Sequence, residues 1–465
     1  MFDCGSSDDS GGDHGSRGSA EIPDVGRGVL DYKSGNVLQK AFKFPAGLRW
    51  LVPLLLASVL ACFARAQPPV PASTSEETVA ESPAAPTPAS TPTPRPTPPA
   101  RSTVVAVHDA SVVERYSVNP ARVRVMVDRL VAAVTDQPDA AHGWRSLVSP
   151  NDIVGIKIAA ARGAAAPTRR AVVLAVVESL IASGHPRDRI LVWDRDPDEL
   201  RLAGFLPERG SSESVFACPV AFIEPRVGYD PKATYVAPVL GKLIWGDLLF
   251  QGTQSPLTAS VALLHQNDPS PTPAENNAGA SSPAAAGASS RGNHRAPAAA
   301  PDNLSDTSHL CNILSKRVTK IINLPTLCDS VFAGVAGALY NVTIPDIDNW
   351  RRLSGEPRWG NPYIVDLYSD PRVGGRVVLN IMDGLIAQYA GGPSFQPLYA
   401  RHHATLYASR DPVAIDAQAV RYLELWRAQR GLPPLGKATD HVRTAAESGL
   451  GNQAAEKIDL RNVAP

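Results

Sequence analysis

Two short apolar runs with a helical segment between them most constrain the fold of this chain. "DIVGIKIA" (152–159) and "RILVWDR" (189–195) flank "TRRAVVLAVVESLIASG" (168–184), which is apolar at helical spacing and stops at Gly184. The two runs lack the polar alternation of a strand with one wet face, so they read as strands buried on both faces. Strand, helix and strand within this length make a βαβ unit, whose strands run parallel. Three further runs, "VTKIINLP" (318–325), "RVVLNIMDG" (376–384) and "ATLYAS" (404–409), alternate with helices expected at about 332–341, 412–429 and 440–448. The pattern predicts an α/β fold, a largely parallel sheet flanked by helices, in a single domain with a disordered insertion.

Much of the remaining chain cannot contribute to a core. Proline numbers 43 and is concentrated: residues 67–101 alone hold 11, with few apolar side chains. Such a stretch cannot offset its ordering entropy and is expected to be an extended Pro-rich linker. Residues 265–307 share this composition but lie between folded halves, 102–264 and 308–465, and are expected to be a disordered surface insertion. Loop closure costs only the logarithm of length, so one domain tolerates it. Ahead of the linker, residues 1–45 form a polar leader and residues 46–66 read "AGLRWLVPLLLASVLACFARA". Lys43 and Arg49, an apolar run from Trp50 to Ala64, and the small-x-small Ala64-Arg65-Ala66 make a secretory signal, with an uncleaved membrane anchor as the alternative. Lipidation at Cys62 fits worse because of Leu60. Export to the periplasm or cell envelope is expected, with residues 46–66 a tether if they stay uncleaved.

Lys+Arg and Asp+Glu balance at 45 each, so no bulk field recruits nucleic acid. Beyond the signal lie only Cys218, Cys311 and Cys328, none in a CxxC pair. Three dispersed thiols cannot supply the four that an iron–sulfur cluster usually takes, so none is expected. One disulfide among the three is compatible with export, and the sequence does not choose it.

In open α/β sheets ligands sit beyond the carboxyl ends of the strands. That rule singles out Lys157 and the small residues Ala159–Ala166, Asp194 with Arg195, Cys328 with Asp329 and Ser330, Asp383 with Gly384, and Ser409 with Arg410 and Asp411. Gly334 and Gly337, in "AGVAGALYN", either open a helix start to an anion or let a helix pack closely on the sheet. Cys328 has no His near it in sequence and reads as a buried, inert thiol rather than a nucleophile. Asp411 before Pro412 is a helix N-cap whatever else it does. Asp416, between apolar Ile415 and Ala417, needs a partner; an ion pair with Lys157 or Arg195 is favoured over a metal. Asp383 is a hard-metal ligand or a turn former. His402 and His403 are adjacent and point opposite ways on a strand, so at most one serves a site. Residues 224–252, with Tyr229, Tyr235 and Trp245, wall a pocket or form a subdomain against the sheet; the subdomain is the simpler reading.

In order, "VGIKI", "ILVWDR…DELRLAGF", "INLPTL…GVAGALYN", "VVLNIMDGLIAQYAGGP", "SRDPVAIDA" and "TAAESGLG" resemble the family catalogued as domain of unknown function 362. The resemblance spans nearly all of 102–465 outside the insertion. It implies an exported bacterial α/β protein without an established activity; some members carry ferredoxin-type clusters, whose cysteines this chain lacks. Lys157, Asp194, Asp383 and Asp411 fit the family pattern. Two places depart from it: Leu327-Cys328-Asp329-Ser330 stands where the family commonly has Leu-Lys-Asp-His, and Tyr340 stands where it commonly has Lys.

The expected function is binding of a small, anionic ligand at the carboxyl ends of the strands. Lys157 and Arg195 would supply charge, the backbone near Gly334 would hold the anion, Asp194 and Asp383 would orient it or hold a metal, and Asp329 and Asp411 are further ligand-binding candidates. The rivals are a metal-dependent enzyme using Asp383 and Asp411, and a catalytically inert tethered domain.

Overall fold

The computed structural model describes residues 100–161, 167–211, 214–248 and 303–465, all within one compact unit, Thr91–Pro465. The leader, the signal segment, residues 67–99 of the linker and residues 265–302 of the insertion lie outside the described residues.

Fourteen strands are described: β1 (Ser102–His108), β2 (Val113–Glu114), β3 (Ser117–Val118), β4 (Val154–Ile158), β5 (Ile190–Asp194), β6 (Val220–Phe222), β7 (Tyr229–Lys242), β8 (Leu304–Cys311), β9 (Lys320–Leu324), β10 (Thr326–Ser330), β11 (Gly334–Val335), β12 (Val377–Gln388), β13 (Ala400–Ser409) and β14 (Ile458–Val463). The α-helices are α1 (Pro120–Val134), α2 (Ala140–Leu147), α3 (Arg170–Ala182), α4 (Pro197–Leu202), α5 (Ala338–Asn341), α6 (Tyr363–Tyr368), α7 (Pro412–Gln429) and α8 (Asp440–Glu447).

The central sheet runs β14-β1-β13-β12-β9-β4-β5-β6, with β10 beside β12 and β11 beside β10. Pairing is mostly parallel, and β13 is the antiparallel strand set between β1 and β12. The fold is thus α/β with helices on both faces. Alternate side chains divide between two cores: Val105, Val107, Val192 and Ile322 pack with α1 and α3, while Val104, Ala106, Trp193 and Ile321 face the side of α5, α7 and α8. Burial on both faces is why these strands are apolar without alternation. α1 starts where Asn119 accepts from the Ala121 and Arg122 N–H groups and Pro120 takes the first turn.

Three expectations need correcting. The chain does not leave the sheet after Leu324. Pro325 only interrupts the ladder, and residues 326–330 continue as β10 along the long strand β12, Thr326 opposite Asp383 and Cys328 opposite Gln388. The helix expected at about 332–341 is therefore reduced to α5, because β11 forms a hairpin with β10 and Gly334 has a φ of +70°, outside the helical range. Second, Asp383 and Gly384 lie inside β12, beside an irregularity in its register with β13, and do not mark its carboxyl end. Third, the insertion ends earlier than residue 307, since Leu304–Thr307 belong to β8, which pairs with β7 in a separate two-stranded arm. That arm is the subdomain containing Tyr229 and Tyr235; Trp245 beyond it is 71% exposed, with the Arg226 guanidinium 4.8 Å from its ring centroid.

Candidate functional site

A cleft of about 790 Å³ opens beyond the carboxyl ends of β4, β5 and β10. Its floor includes Ala159 and Asp194. Asp196 and Glu199 from the start of α4 line the cleft together with Phe332, Tyr340, Trp350 and Arg351, and the 393–394 turn forms a lip.

Lys157 does not reach this space as a free charge. It is fully buried, with its ammonium 2.6 Å from Asp194 Oδ1 and 2.7 Å from the Ile158 carbonyl. Asp194 is saturated in turn: Ala160 N–H donates to Oδ2 at 2.5 Å and Arg195 N–H to Oδ1 at 2.8 Å. The pair closes the ends of β4 and β5 and leaves little net charge below the cleft. The expectation that Lys157 supplies charge to the ligand is thus corrected.

Arg195 extends from the end of β5 along the cleft. Its Nη2 donates to the carbonyls of Ile344 and Ile347, and its guanidinium lies 4.9 Å from the Trp350 ring centroid. Arg351 places a second guanidinium 4.7 Å from the same ring. Among the described residues neither arginine forms an ion pair, nor does Glu199. Burial, then the neighbouring charges of Asp194 and Asp196, pushes the Glu199 carboxyl up to about 7. Burial also raises the Tyr340 phenol, with Arg195 opposing and Asp194 and Glu199 adding.

Asp329, Gly334, Asp383 and Asp411 do not line the cleft. Asp329 is buried and accepts from Gly392 N–H at 3.0 Å, so it fixes the loop that leads into the lip. Gly334 packs against the Ala438 carbonyl, where any side chain would collide, which favours the close-packing reading over an anion cradle. Asp383 accepts from Arg169 N–H at 2.8 Å and faces its guanidinium at 3.3 Å. Asp411 sits at the other end of the sheet, because β13 runs against β12. There it caps α7 through Val413 and Ala414 N–H and accepts from Ser102 Oγ and Asn452 N–H. Asp383 and Asp411 therefore do not share a site, and the two-carboxylate metal centre is corrected.

Asp416 is also placed differently from expectation. It is fully buried and accepts the N–H groups of Ala338 and Leu339 at 2.5 and 2.9 Å, holding α5 in place of an ion pair with Lys157 or Arg195. Burial lifts its carboxyl to about 7. His403 joins Tyr407, Tyr422 and Trp426 in an aromatic cluster, while His402 meets Tyr116; neither lines the cleft. Cys218 and Cys311 are free and buried, and burial pushes the Cys218 thiol up to about 12. Cys328 is buried and donates to the Asp329 carbonyl at 3.0 Å.

Glu199, Arg351 and Trp350 were not among the sequence candidates. Glu199 was findable, five residues after a strand end in the acidic "DPDEL" turn. Arg351 and Trp350 come from an irregular segment between α5 and α6 that has no strand end to point to it. Tyr340 and Ser330, two positions departing from the resembled family, both line the cleft.

No family model matches the chain, and no curated protein does. A crystal structure of a Thermotoga maritima protein, solved as a structural genomics target, aligns at 8% identity and a TM-score of 0.32. The alignment covers 69% of this chain and 61% of that chain, under two thirds of the neighbour's length. A likeness at this level carries no argument about fold or activity.

Proposed function

We propose that the chain is an exported protein that binds a small anionic ligand in the cleft at the carboxyl ends of β4, β5 and β10. The observation that carries this reading is the pair of guanidinium groups, Arg195 and Arg351, set about the Trp350 ring in the cleft without a carboxylate partner among the described residues. Planar, permanently charged guanidinium suits carboxylate and phosphate oxygens. The Lys157–Asp194 pair compensates its own charge, so the two arginines supply the positive charge offered to the cleft. The order of motifs resembling domain of unknown function 362 supports an envelope protein, and the signal reading of residues 46–66 supports export. No helix among the described residues is long and apolar enough to cross a membrane.

Calorimetric titration with acetate and inorganic phosphate tests the binding reading. One charge-assisted contact is worth about 1.5–3 kcal/mol, so Arg195→Met should weaken anion binding roughly 10- to 100-fold. Arg351→Ala, on an exposed side chain, serves as the variant least able to disturb folding. If both variants bind anions as the parent does, the reading fails.

A further inference from the structure

We propose that the ligand is a zwitterion, an α-amino acid with an apolar side chain, whose carboxylate meets Arg195 and Arg351 and whose ammonium meets Glu199. This rests on the anion-binding reading above and names its ligand class.

The cleft holds side chains of both charge signs. Arg195 and Arg351 converge on Trp350 at 4.9 and 4.7 Å, while Glu199 and Asp196 stand at the start of α4. The guanidinium of Arg195 turns to the Ile344 and Ile347 carbonyls and stays beyond ion-pair distance of Glu199. Lys157 cannot serve Glu199 either, because its ammonium is held by Asp194 and the Ile158 carbonyl. Asp196 uses Oδ1 to cap α4, accepting from Asp198 and Glu199 N–H. Glu199 is thus a half-buried carboxylate without an ion pair of its own, among the charges of Asp194, Asp196, Lys157 and Arg195 and beside the Tyr340 phenol. A carboxylate placed so is costly to ionise without a cation of its own, and its carboxyl is accordingly held near neutrality. A ligand ammonium would provide that cation while the same ligand's carboxylate answered the arginines. Phe332, Tyr340 and Trp350 supply apolar surface for a side chain, and about 790 Å³ is ample for one amino acid.

The test is calorimetric titration of the full chain with phenylalanine, N-acetylphenylalanine and phenethylamine. Phenylalanine should bind at least ~10-fold more tightly than either analogue, one of which lacks the ammonium and the other the carboxylate. Phenylalanine affinity should rise between pH 6 and 8 as Glu199 ionises, and binding should release protons. Glu199→Gln should close the gap between phenylalanine and N-acetylphenylalanine while leaving the latter's affinity within about threefold. Equal or tighter binding of N-acetylphenylalanine, strengthening toward pH 6, would overturn the zwitterion and leave the anion reading standing. Binding of phenethylamine but not N-acetylphenylalanine would overturn both. Absence of binding by all three at millimolar concentration would overturn the zwitterion, with acetate and phosphate deciding the anion reading separately.

Discussion

Lys157 and Asp194 illustrate how a charged residue can be essential to a fold without being offered to a ligand. Both are buried, and each satisfies the other with backbone groups filling the remaining positions. Removing one member of such a pair leaves a buried charge uncompensated, so Lys157→Met should cost about 3–5 kcal/mol in urea unfolding. The Lys157→Met, Asp194→Leu double variant should recover a good part of that loss. Additive losses would show that the pair is not coupled. Other buried groups make stability depend on pH in opposing directions. Asp346 and Asp416 have folded values raised to about 6 and about 7, so their contribution is full below the unfolded value near 4 and is lost as pH rises through 6–7. His403 and His441 are lowered to about 4, so their contribution is full above 6.5 and is lost as pH falls toward 4. His441→Leu should therefore reduce the loss of stability between pH 6.5 and 4 by about 1–3 kcal/mol, read from urea midpoints across that range. An unchanged acid limb would place the sensitivity elsewhere.

At the scale of elements, the strands and the long helices were legible, while the pieces that shape the site were not. β4, α3, β5 and α7 follow from apolar runs, helical spacing and the Asp411-Pro412 cap. β10 does not, since "TLCDS" has little strand character and forms only because β12 is long enough to pair with both β9 and β10. Arg195 could be placed at a strand end from sequence, but the partners of Lys157, Asp329 and Asp416 come from chain 37, 63 and 78 residues away, which local pattern does not reveal. The cleft lip shows this dependence. Gly392 brings its N–H to Asp329 so closely that an added Cβ would fall on the Asp329 carbonyl. Gly392→Ala should destabilise by about 1–3 kcal/mol and shift the 393–394 turn. Differential scanning calorimetry with an anion titration checks both effects; an unchanged melting temperature would mean that the loop yields at no cost.

For the whole molecule, the insertion belongs to the β7–β8 arm, and its boundaries matter. Leu243 N–H donates to the Asn303 carbonyl at 2.6 Å, so the chain leaves and re-enters the arm at neighbouring points. A short replacement for residues 265–302 should leave cooperative melting intact, because closure entropy changes slowly with length. Extending the deletion to 307 removes Ser305 and Thr307, the register partners of Gly241 and Val236, and should loosen the arm. Limited proteolysis of the two deletions compares them directly. Equal protection of the β7 segment in both would show that β8 can shift register to compensate.

The first strand of the sheet carries one more consequence. β1 has no sequence-local partner: it pairs with β13 and β14, and Ser409 Oγ bonds the Thr103 carbonyl across 306 residues of chain. At a synthesis rate of about 5–20 residues per second, roughly 15–60 s pass between the making of β1 and the making of its neighbours. For that interval its Val104, Val105 and Val107 side chains and both its ladder edges await partners, so a nascent chain of this design depends on its surroundings keeping that strand from pairing elsewhere.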